Sequence, residues 1–225
     1  MKTISILGTG WLGYALANRL KNEFNVKVSI RTNEKKEEYI NEGLDPYLLN
    51  EENLDFLDEL LECDYLFINF PPTKSNNYLE FLNNIYSHKN ISSVKKLIFI
   101  SSTSIYPNEQ TIFNEDFEIK NPISQKVYDA ENLVKSKTDV IFRCAGLMGY
   151  NRIAGKYFAA KVLDSEDVKV NYVHRDDVLS ASIFAIENDL NGVFNLCGSF
   201  HPNRKKVYLK YIMQQRRTEY LITNY

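Results

Sequence analysis

The beginning of the chain alternates between short apolar runs and one stretch with helical spacing. Residues 4–7 form an apolar run of the kind found in buried parallel strands, and residues 26–30 begin a second strand. Between them, apolar side chains recur at the spacing of a helix, at Leu12, Ala15, Leu16 and Leu20. The pattern therefore predicts a strand, a turn, a helix and a second strand.

The same alternation continues along the rest of the chain. It predicts strands at residues 47–49, 65–70, 97–100, 140–143 and 192–198. It predicts helices at residues 53–62, 77–88 and 151–163, and a last helix that opens at residues 201–206. This order is typical of an α/β fold with a doubly wound parallel sheet.

The turn between the first strand and the first helix carries a G-x-G-x-x-G motif. Its residues are Gly8, Thr9, Gly10, Trp11, Leu12 and Gly13. In this strand–turn–helix context the motif indicates a Rossmann fold that binds NAD(P). The first glycine permits the turn, the second lets the backbone approach the pyrophosphate, and the third lets the helix pack closely on the strand. The alternative is a glycine turn between core elements that binds no ligand.

The residues after the second strand bear on which dinucleotide binds. NAD sites usually place an acidic residue there, which accepts hydrogen bonds from the ribose 2′-OH. This chain has Arg31 and Thr32 instead, a guanidinium and a hydroxyl that suit a 2′-phosphate. We therefore favour NADP over NAD, while a solvated basic loop without a ligand remains the alternative.

Two further strand ends carry candidate functional residues. Asn69, Phe70 and Pro71 end the strand at residues 65–70 and should face the cofactor, unless they only terminate the strand. Residues 101–104 are four hydroxyl side chains at the end of the next strand. A hydroxyl there can hydrogen-bond a substrate carbonyl during hydride transfer, or it can simply cap a turn.

Composition and charge narrow the classes of function. The chain has 225 residues, 44% of them hydrophobic, and a net charge of −2, so no global field points to nucleic acid or to a membrane. No apolar run is long enough to cross a bilayer, and we expect a cytoplasmic protein without a signal peptide. We expect Cys63, Cys144 and Cys197 to be buried thiols, and the three histidines show no metal-binding spacing.

Five segments in order resemble the extended short-chain dehydrogenases, and most closely an atypical branch of the NAD(P)-dependent epimerase/dehydratase family. They are the glycine motif, FISSTSIYP, RCAGLMGYNR, VNYVHRDDV and GVFNLCG, and the resemblance spans roughly residues 3–208. The family places a Ser or Thr four residues before the tyrosine of the second segment. The resemblance therefore implies that Ser102, with Thr103 beside it, polarises the substrate. It also implies a late strand that leads into a helix within residues 170–186. We accordingly assign residues 1–150 to a nucleotide-binding domain and residues 151–225 to a reduced substrate-binding lobe, interleaved with the last strands.

The catalytic Tyr-x-x-x-Lys of that family is missing at its expected place. In the family a Glu follows the lysine by four residues, and Glu131 supplies this landmark. Counting back from it places Val127 at the lysine position and Ile123 at the tyrosine position. Lys126 and Tyr128 lie nearby, but each is one residue, or about 100° of helix rotation, out of phase. They are the candidate replacements, with Tyr106 and Tyr150 as further candidate acids.

A second Tyr-x-x-x-Lys occurs at residues 157–161, where the family has substrate-binding segments, and we interpret it as a chance match. In this later region Tyr150 and Arg152 suit an anionic or sugar-like substrate, although a loop arginine is an equal alternative. His174 could face the site or merely pack. Asp176 or Asp177 is predicted to cap the following helix.

These observations lead to two functional hypotheses. The first is an NADP(H)-binding oxidoreductase-like protein, acting as an epimerase, dehydratase or reductase on a small, sugar-derived substrate. The second is a non-catalytic NADP(H)-binding sensor or partner-binding protein that has lost the Tyr-x-x-x-Lys chemistry. A two-domain dehydrogenase of the phosphogluconate or ketopantoate type is disfavoured, because it needs a long all-helical second domain. The residues themselves leave the oligomeric state open. The resemblance implies homodimer formation through helices around residues 124–135.

Overall fold

The computed structural model describes residues 1–72, 77–158 and 167–222, and in these residues a seven-stranded sheet forms the centre of the fold. Its strands are β1 (Thr3–Leu7), β2 (Asn25–Ile30), β3 (Asp45–Leu48), β4 (Tyr65–Ile68), β5 (Lys96–Ser102), β6 (Val140–Cys144) and β9 (Gly192–Leu196). They lie in the order β3-β2-β1-β4-β5-β6-β9, and every neighbouring pair is parallel. The predicted α/β fold with a parallel sheet is confirmed.

Helices connect the strands on both faces of this sheet. They are α1 (Trp11–Leu20), α2 (Lys36–Asn41), α3 (Leu57–Leu61), α4 (Tyr78–Tyr86), α5 (Gln125–Val134), α6 (Arg175–Glu187) and α7 (Arg204–Ile222). The chain winds outward from β1 to β3, returns across the sheet to β4, and then winds outward in the opposite direction. The strand order therefore reverses between β1 and β4, where doubly wound proteins hold their ligands.

The apolar core is divided between the two faces of the sheet. On β4, Tyr65 and Phe67 pack into one cluster, with α1 and α6, whereas Leu66 and Ile68 pack into the other, with α3, α4 and α5. All four side chains are at most 8% exposed. Alternate residues of a strand point to opposite faces, so a strand covered on both sides has to be apolar throughout.

A smaller parallel sheet lies after β6. It pairs β7 (Gly146–Met148) with β8 (Tyr172–His174). The last helix, α7, packs against a 3₁₀ helix at Ala154–Phe158, and a Cβ on Gly155 would overlap Tyr211 of α7. A glycine is therefore needed at this crossing. No helix in the described ranges is both long and apolar enough to cross a membrane.

Several local predictions were wrong. The helix predicted at 53–62 is limited to Leu57–Leu61, because the Asn50 side chain accepts hydrogen bonds from the backbone of Glu52 and Asn53 and holds a turn before it. The helix predicted at 151–163 is a 3₁₀ helix over Ala154–Phe158, and residues 159–166 lie outside the described ranges. The later Tyr-x-x-x-Lys extends into those residues.

The predicted cap of α6 was also wrong. The N-cap residue is His174, whose Nδ1 accepts a hydrogen bond of 3.2 Å from the backbone N–H of Asp176. An imidazole nitrogen can fill this role in place of a carboxylate, and the aspartates then occupy the first helical turn. The cysteine prediction holds only in part, since Cys144 is buried, Cys63 is half-buried and Cys197 is exposed.

A buried charged network connects β5, α5, β6 and β9. Glu131 and Arg143, each 3% exposed, form an ion pair with an Oε1–Nη2 distance of 2.6 Å. Ser101 Oγ donates to Glu131 at 2.6 Å, and Arg143 donates to the Tyr106 hydroxyl at 2.9 Å. The Tyr106 hydroxyl donates in turn to Asn195 at 2.8 Å. Tyr106, one of the candidate acids, therefore has its hydroxyl occupied inside the core.

We expect Glu131→Ala to destabilise the fold strongly, because it leaves the Arg143 charge buried without its partner. The free energy of unfolding should fall by about 3–5 kcal/mol, measured by urea denaturation. The control is Glu118→Ala, which removes an exposed pair with Lys120 and should leave the urea midpoint almost unchanged. Equal midpoints for both variants would contradict a structural role for the buried pair.

Candidate functional site

The glycine turn lies where the carboxyl ends of β1 and β4 meet. Gly8 has a φ of +98°, and a Cβ there would lie 2.7 Å from the Asn69 carbonyl oxygen. The Gly8 N–H donates to Ser29 Oγ at 2.8 Å, and Asn69 Nδ2 donates to the Gly8 carbonyl at 3.3 Å. The turn is thus fixed by side chains from β2 and from the end of β4, and it requires a glycine at position 8.

The other two glycines have different surroundings. A Cβ on Gly13 would overlap the Gly8 carbonyl oxygen and lie 3.1 Å from Ile6 Cγ2, so this glycine lets α1 pack closely on β1. A Cβ on Gly10 would have no neighbour within 4 Å. Gly10 is the N-cap of α1 and makes no side-chain capping bond, and the first helical turn contains no acidic residue. The Gly10 N–H donates to the Gly8 carbonyl at 2.8 Å. The open position beside Gly10 is therefore faced by the backbone N–H groups of the first turn of α1 and by the positive end of the helix dipole.

Arg31 lies just past β2, as expected, but it is paired with a carboxylate that the sequence pattern did not indicate. Both terminal nitrogens of Arg31 donate to Glu51, at 3.0 and 2.6 Å. The Arg31 side chain is 49% exposed and that of Glu51 only 16%. Thr32 precedes a short 3₁₀ helix and makes no side-chain capping bond. Glu51 lies just after β3, and no sequence spacing connects it with the end of β2.

The three candidate residues that follow β4 have different surroundings. Asn69 braces the glycine turn, as described above, whereas Phe70 packs in the core with its ring 5.0 Å from that of Phe81. The Phe70 carbonyl accepts a hydrogen bond from Tyr78, and Pro71 is exposed. Of the three, only Asn69 is shown in contact with the turn.

The hydroxyl segment lies at the carboxyl end of β5, beside the start of α5. Ser102 is half-buried, and its Oγ accepts a 3.2 Å hydrogen bond from Ser104 N–H, which caps the short 3₁₀ turn that begins at Thr103. The Ser104 carbonyl accepts from the backbone of Ser124, the N-cap of α5. The structure thus brings Ser102 and Thr103 next to α5, the helix on which the sequence resemblance places the catalytic pair.

The positions of that pair are occupied by side chains without proton chemistry. Ile123 is 62% exposed and precedes α5, and Val127 is buried against Ile105 and Tyr106. Lys126 Nζ donates to the Pro72 carbonyl at 2.9 Å, which places this ammonium group near the end of β4.

Tyr128, the other candidate replacement, is half-buried and packs against the apolar cluster formed by Ile105, Tyr106 and Val127. Neither Lys126 nor Tyr128 occupies a position of the pair itself.

A cluster of aromatic and cationic side chains lies over the start of α1. The Arg152 guanidinium carbon is 4.4 Å from the centroid of the Trp11 ring, and that of Arg175 is 5.2 Å from the same ring and 4.0 Å from the Tyr150 ring. Trp11 Nε1 donates to Asn151 at 2.7 Å. Arg175 was missed from the sequence, although it directly follows the candidate residue His174. The cluster places two cations beside the glycine turn.

The backbone at Tyr150 and Gly149 is adapted to this cluster. Tyr150 has a φ of +53°, and a Cβ on Gly149 would lie 2.5 Å from His174 Nε2. The Tyr150 hydroxyl donates to Asp176 Oδ2 at 2.6 Å. This hydrogen bond, supported by one from Arg175, lowers the pKa of Asp176, because both donors favour its charged form.

Two members of the cluster, Tyr150 and Arg152, also line a cavity of about 570 Å³ that is bounded by residues of the small sheet and of α7. The cavity is lined by cationic side chains and aromatic rings, among them Arg152, Lys206, Lys210, Tyr150, Tyr172 and Phe200. His174 also lines it, and no acidic residue is among its described lining. The composition suits an anionic ligand with an apolar or ring-shaped part.

A second cavity, of about 620 Å³, lies at the opposite, amino end of the sheet and is lined by several carboxylates, including Asp58, Glu62 and Asp64. No group of three His, Cys, Asp or Glu residues within the described ranges could hold a metal ion.

Comparison with known structures defines the class of fold. No protein-family model matches the chain. A proposed NAD-dependent epimerase/dehydratase from Methylobacillus flagellatus superposes with a TM-score of 0.80 at 20% identity, over 95% of this chain and 82% of that one. A variant of UDP-glucuronic acid 4-epimerase from Bacillus cereus, in complex with UDP-4-deoxy-4-fluoro-glucuronic acid and NAD, gives 0.69 at 16% identity, over 90% and 79%. The fold is that of the NAD-dependent epimerase/dehydratase group, as the sequence resemblance implied.

A closer relative is identified by sequence. Protein YeeZ from Escherichia coli (strain K12) is 31% identical over an alignment that covers 92% of this chain and 82% of YeeZ. The chain belongs to the family of protein YeeZ.

We expect Tyr150→Phe to raise the pKa of Asp176 towards its ordinary value of 3.8, because the main donor to the carboxylate is removed. A carboxyl group whose pKa is lowered by folding stabilises the fold above its unfolded pKa, and this contribution is lost as the pH falls through the folded value. The measurement is an NMR titration of the Asp176 carboxyl carbon. Tyr47→Phe is the control, since Tyr47 donates to Asp45 instead. An unchanged Asp176 titration in Tyr150→Phe would contradict the assigned cause.

Proposed function

We propose that the chain binds a nicotinamide dinucleotide at the glycine turn, preferably NADP(H), and acts as an oxidoreductase-like enzyme on a small, anionic, sugar-derived substrate. The observation that carries this proposal is the difference among the three glycines. Gly8 and Gly13 are required by protein contacts, whereas nothing in the described fold requires a glycine at position 10. A glycine there is explained by a ligand that approaches the backbone closely.

The dinucleotide would be bound by the backbone and by a few side chains. Its pyrophosphate would lie against Gly10 and the N-terminus of α1, where free N–H groups and the helix dipole favour negative charge. The adenosine end would reach Arg31 and Thr32, since β2 ends beside β1 at the same edge of the sheet. Asn69 would hold the turn in shape from the end of β4.

The cavity lined by Tyr150 and Arg152 supports an anionic substrate. Arg152, Lys206 and Lys210 offer positive charge, and the aromatic rings offer faces on which a sugar or a base can stack. Nucleotide sugars bound in structures of the same fold support a sugar-derived ligand.

Hydride transfer to or from the substrate is the chemistry that a bound nicotinamide supplies. In this chain Ser102, with Thr103 beside it, would hydrogen-bond the reacting carbonyl or hydroxyl oxygen. Tyr128 and Lys126 are the candidate proton donors and acceptors on α5, and Tyr150 and His174 would contact the substrate from the small sheet. The cytoplasmic location and the homodimer through residues 124–135 stay predictions from the sequence.

A second function is favoured by the residues at the catalytic positions. Ile123 and Val127 cannot transfer protons, and a missing general acid or base costs about 10²–10⁴ in rate. A non-catalytic NADP(H) sensor or partner-binding protein would keep the glycine turn without needing a general acid or base. Both functions require dinucleotide binding, but only the first predicts turnover of a substrate.

Gly10→Ala tests the binding site directly. Its φ of −86° is accessible to alanine and the added Cβ meets no protein atom, so the free energy of unfolding should change by no more than about 1 kcal/mol. The affinity for NADPH and NADH should fall at least about tenfold, because the methyl group occupies the approach of the pyrophosphate. Isothermal titration calorimetry measures the affinity. Binding by Gly10→Ala at the wild-type affinity, or no binding of either dinucleotide by the wild type, would overturn the proposal.

Gly13→Ala is the matched comparison on the same turn. Its Cβ would overlap the Gly8 carbonyl, so stability should fall by about 1–3 kcal/mol. The two alanine variants thus separate loss of binding from loss of structure.

Ser102→Ala distinguishes the enzyme from the sensor. We expect the wild type to oxidise NADPH, or to interconvert the substrate with bound dinucleotide, within a panel of UDP-sugars and small carbonyl compounds. Ser102→Ala should lower kcat about a hundredfold while the NADPH affinity stays unchanged, because the hydroxyl acts on the substrate. Absorbance at the nicotinamide band and product analysis provide the readouts. Dinucleotide binding without turnover across the panel would favour the sensor.

A further inference from the structure

We propose that Glu51 is a specificity-determining residue that limits the discrimination between NADPH and NADH. This inference rests on the proposed dinucleotide site. Arg31 is the cation that would recognise a 2′-phosphate, yet both of its terminal nitrogens already donate to Glu51, at 3.0 and 2.6 Å. A 2′-phosphate would therefore have to share or displace the Glu51 carboxylate before it could bind the same nitrogens.

The position of Glu51 is built by the chain around it. Asn50 Nδ2 donates to the Arg31 carbonyl at 3.2 Å, which ties the turn after β3 to the end of β2. The Asn50 Oδ1 accepts from the backbone N–H groups of Glu52 and Asn53, so the turn is closed on itself. Glu51 is only 16% exposed, whereas the Arg31 side chain is 49% exposed. The carboxylate is thus the less exposed partner, placed by a closed turn.

The charges decide the direction of the effect. A carboxylate within hydrogen-bond distance of Arg31 weakens the attraction for a 2′-phosphate, because it neutralises the guanidinium and repels the second anion. The same carboxylate suits NADH, since NAD sites use an acidic side chain near this strand end to accept from the ribose 2′-OH. In this chain that carboxylate would come from the turn after β3. Glu51 should therefore reduce the preference for NADPH that Arg31 alone would give.

The test is the ratio of NADPH to NADH affinity, measured by calorimetry on the full chain for the wild type, Glu51→Gln and Glu52→Gln. Glu51→Gln removes the charge and keeps the shape, and it should raise the NADPH/NADH affinity ratio about tenfold relative to wild type, or ~1.4 kcal/mol. Glu52→Gln is the matched control, because it removes the same charge one residue away, from an exposed side chain. It should leave the ratio close to the wild-type value.

An Arg31→Ala background separates the pair from general charge effects. If Glu51 acts largely through Arg31, Glu51→Gln should change the ratio less in that background than in the wild type. Equal ratios for wild type and Glu51→Gln, with both dinucleotides bound, would overturn this inference and leave the proposed function standing. Equal shifts for Glu51→Gln and Glu52→Gln would also overturn it. Wild-type protein that binds neither dinucleotide would overturn both.

Discussion

The close approach of α1 to the ends of β1 and β4 is the contact on which the rest of the structure depends. It requires Gly8 to adopt a positive φ against the Asn69 carbonyl, and Gly13 to sit directly on the Gly8 carbonyl. These contacts fix the direction in which α1 leaves the sheet. They also leave the backbone at Gly10 open, at the point where the strand order reverses. The same few atoms thus set the packing of α1 and leave the backbone of the turn open at Gly10.

Helix α5 is anchored in the second half of the fold, although it lacks the Tyr-x-x-x-Lys pair that the sequence resemblance would place on it. Glu131 is buried with Arg143, and the network joins β5, α5, β6 and β9. Val127 packs into the apolar cluster, and Ile123 lies outside the helix, exposed to solvent. The buried ion pair of this helix therefore involves neither of the two positions at which the resemblance places the proton-transferring pair, and one of these positions, Val127, is a core residue in this chain. A chain can lose or move that pair without losing the fold.

The sequence predicted the features that depend on local spacing. The glycine turn, the strands around it and the class of sheet follow from apolar periodicity and from three glycines. Features that depend on distant partners were missed. Glu51 meets Arg31 only because β3 lies beside β2, and Arg175 meets Trp11 only because the chain returns over α1. The late start of one predicted helix, at Leu57, was missed because the Asn50 side chain competes for the backbone N–H groups before it.

The brace on the glycine turn also has a consequence for assembly. Asn69 lies 61 residues beyond Gly8, and Ser29, which also holds the turn, lies 21 residues beyond it. Closing such separations costs chain entropy before the contacts are gained, so the turn reaches its shape only when the sheet has formed across β1 and β4. A peptide that contains only the first strand, turn and helix would lack the Asn69 brace. The geometry of the glycine turn is therefore a property of the assembled sheet, and the motif alone does not possess it.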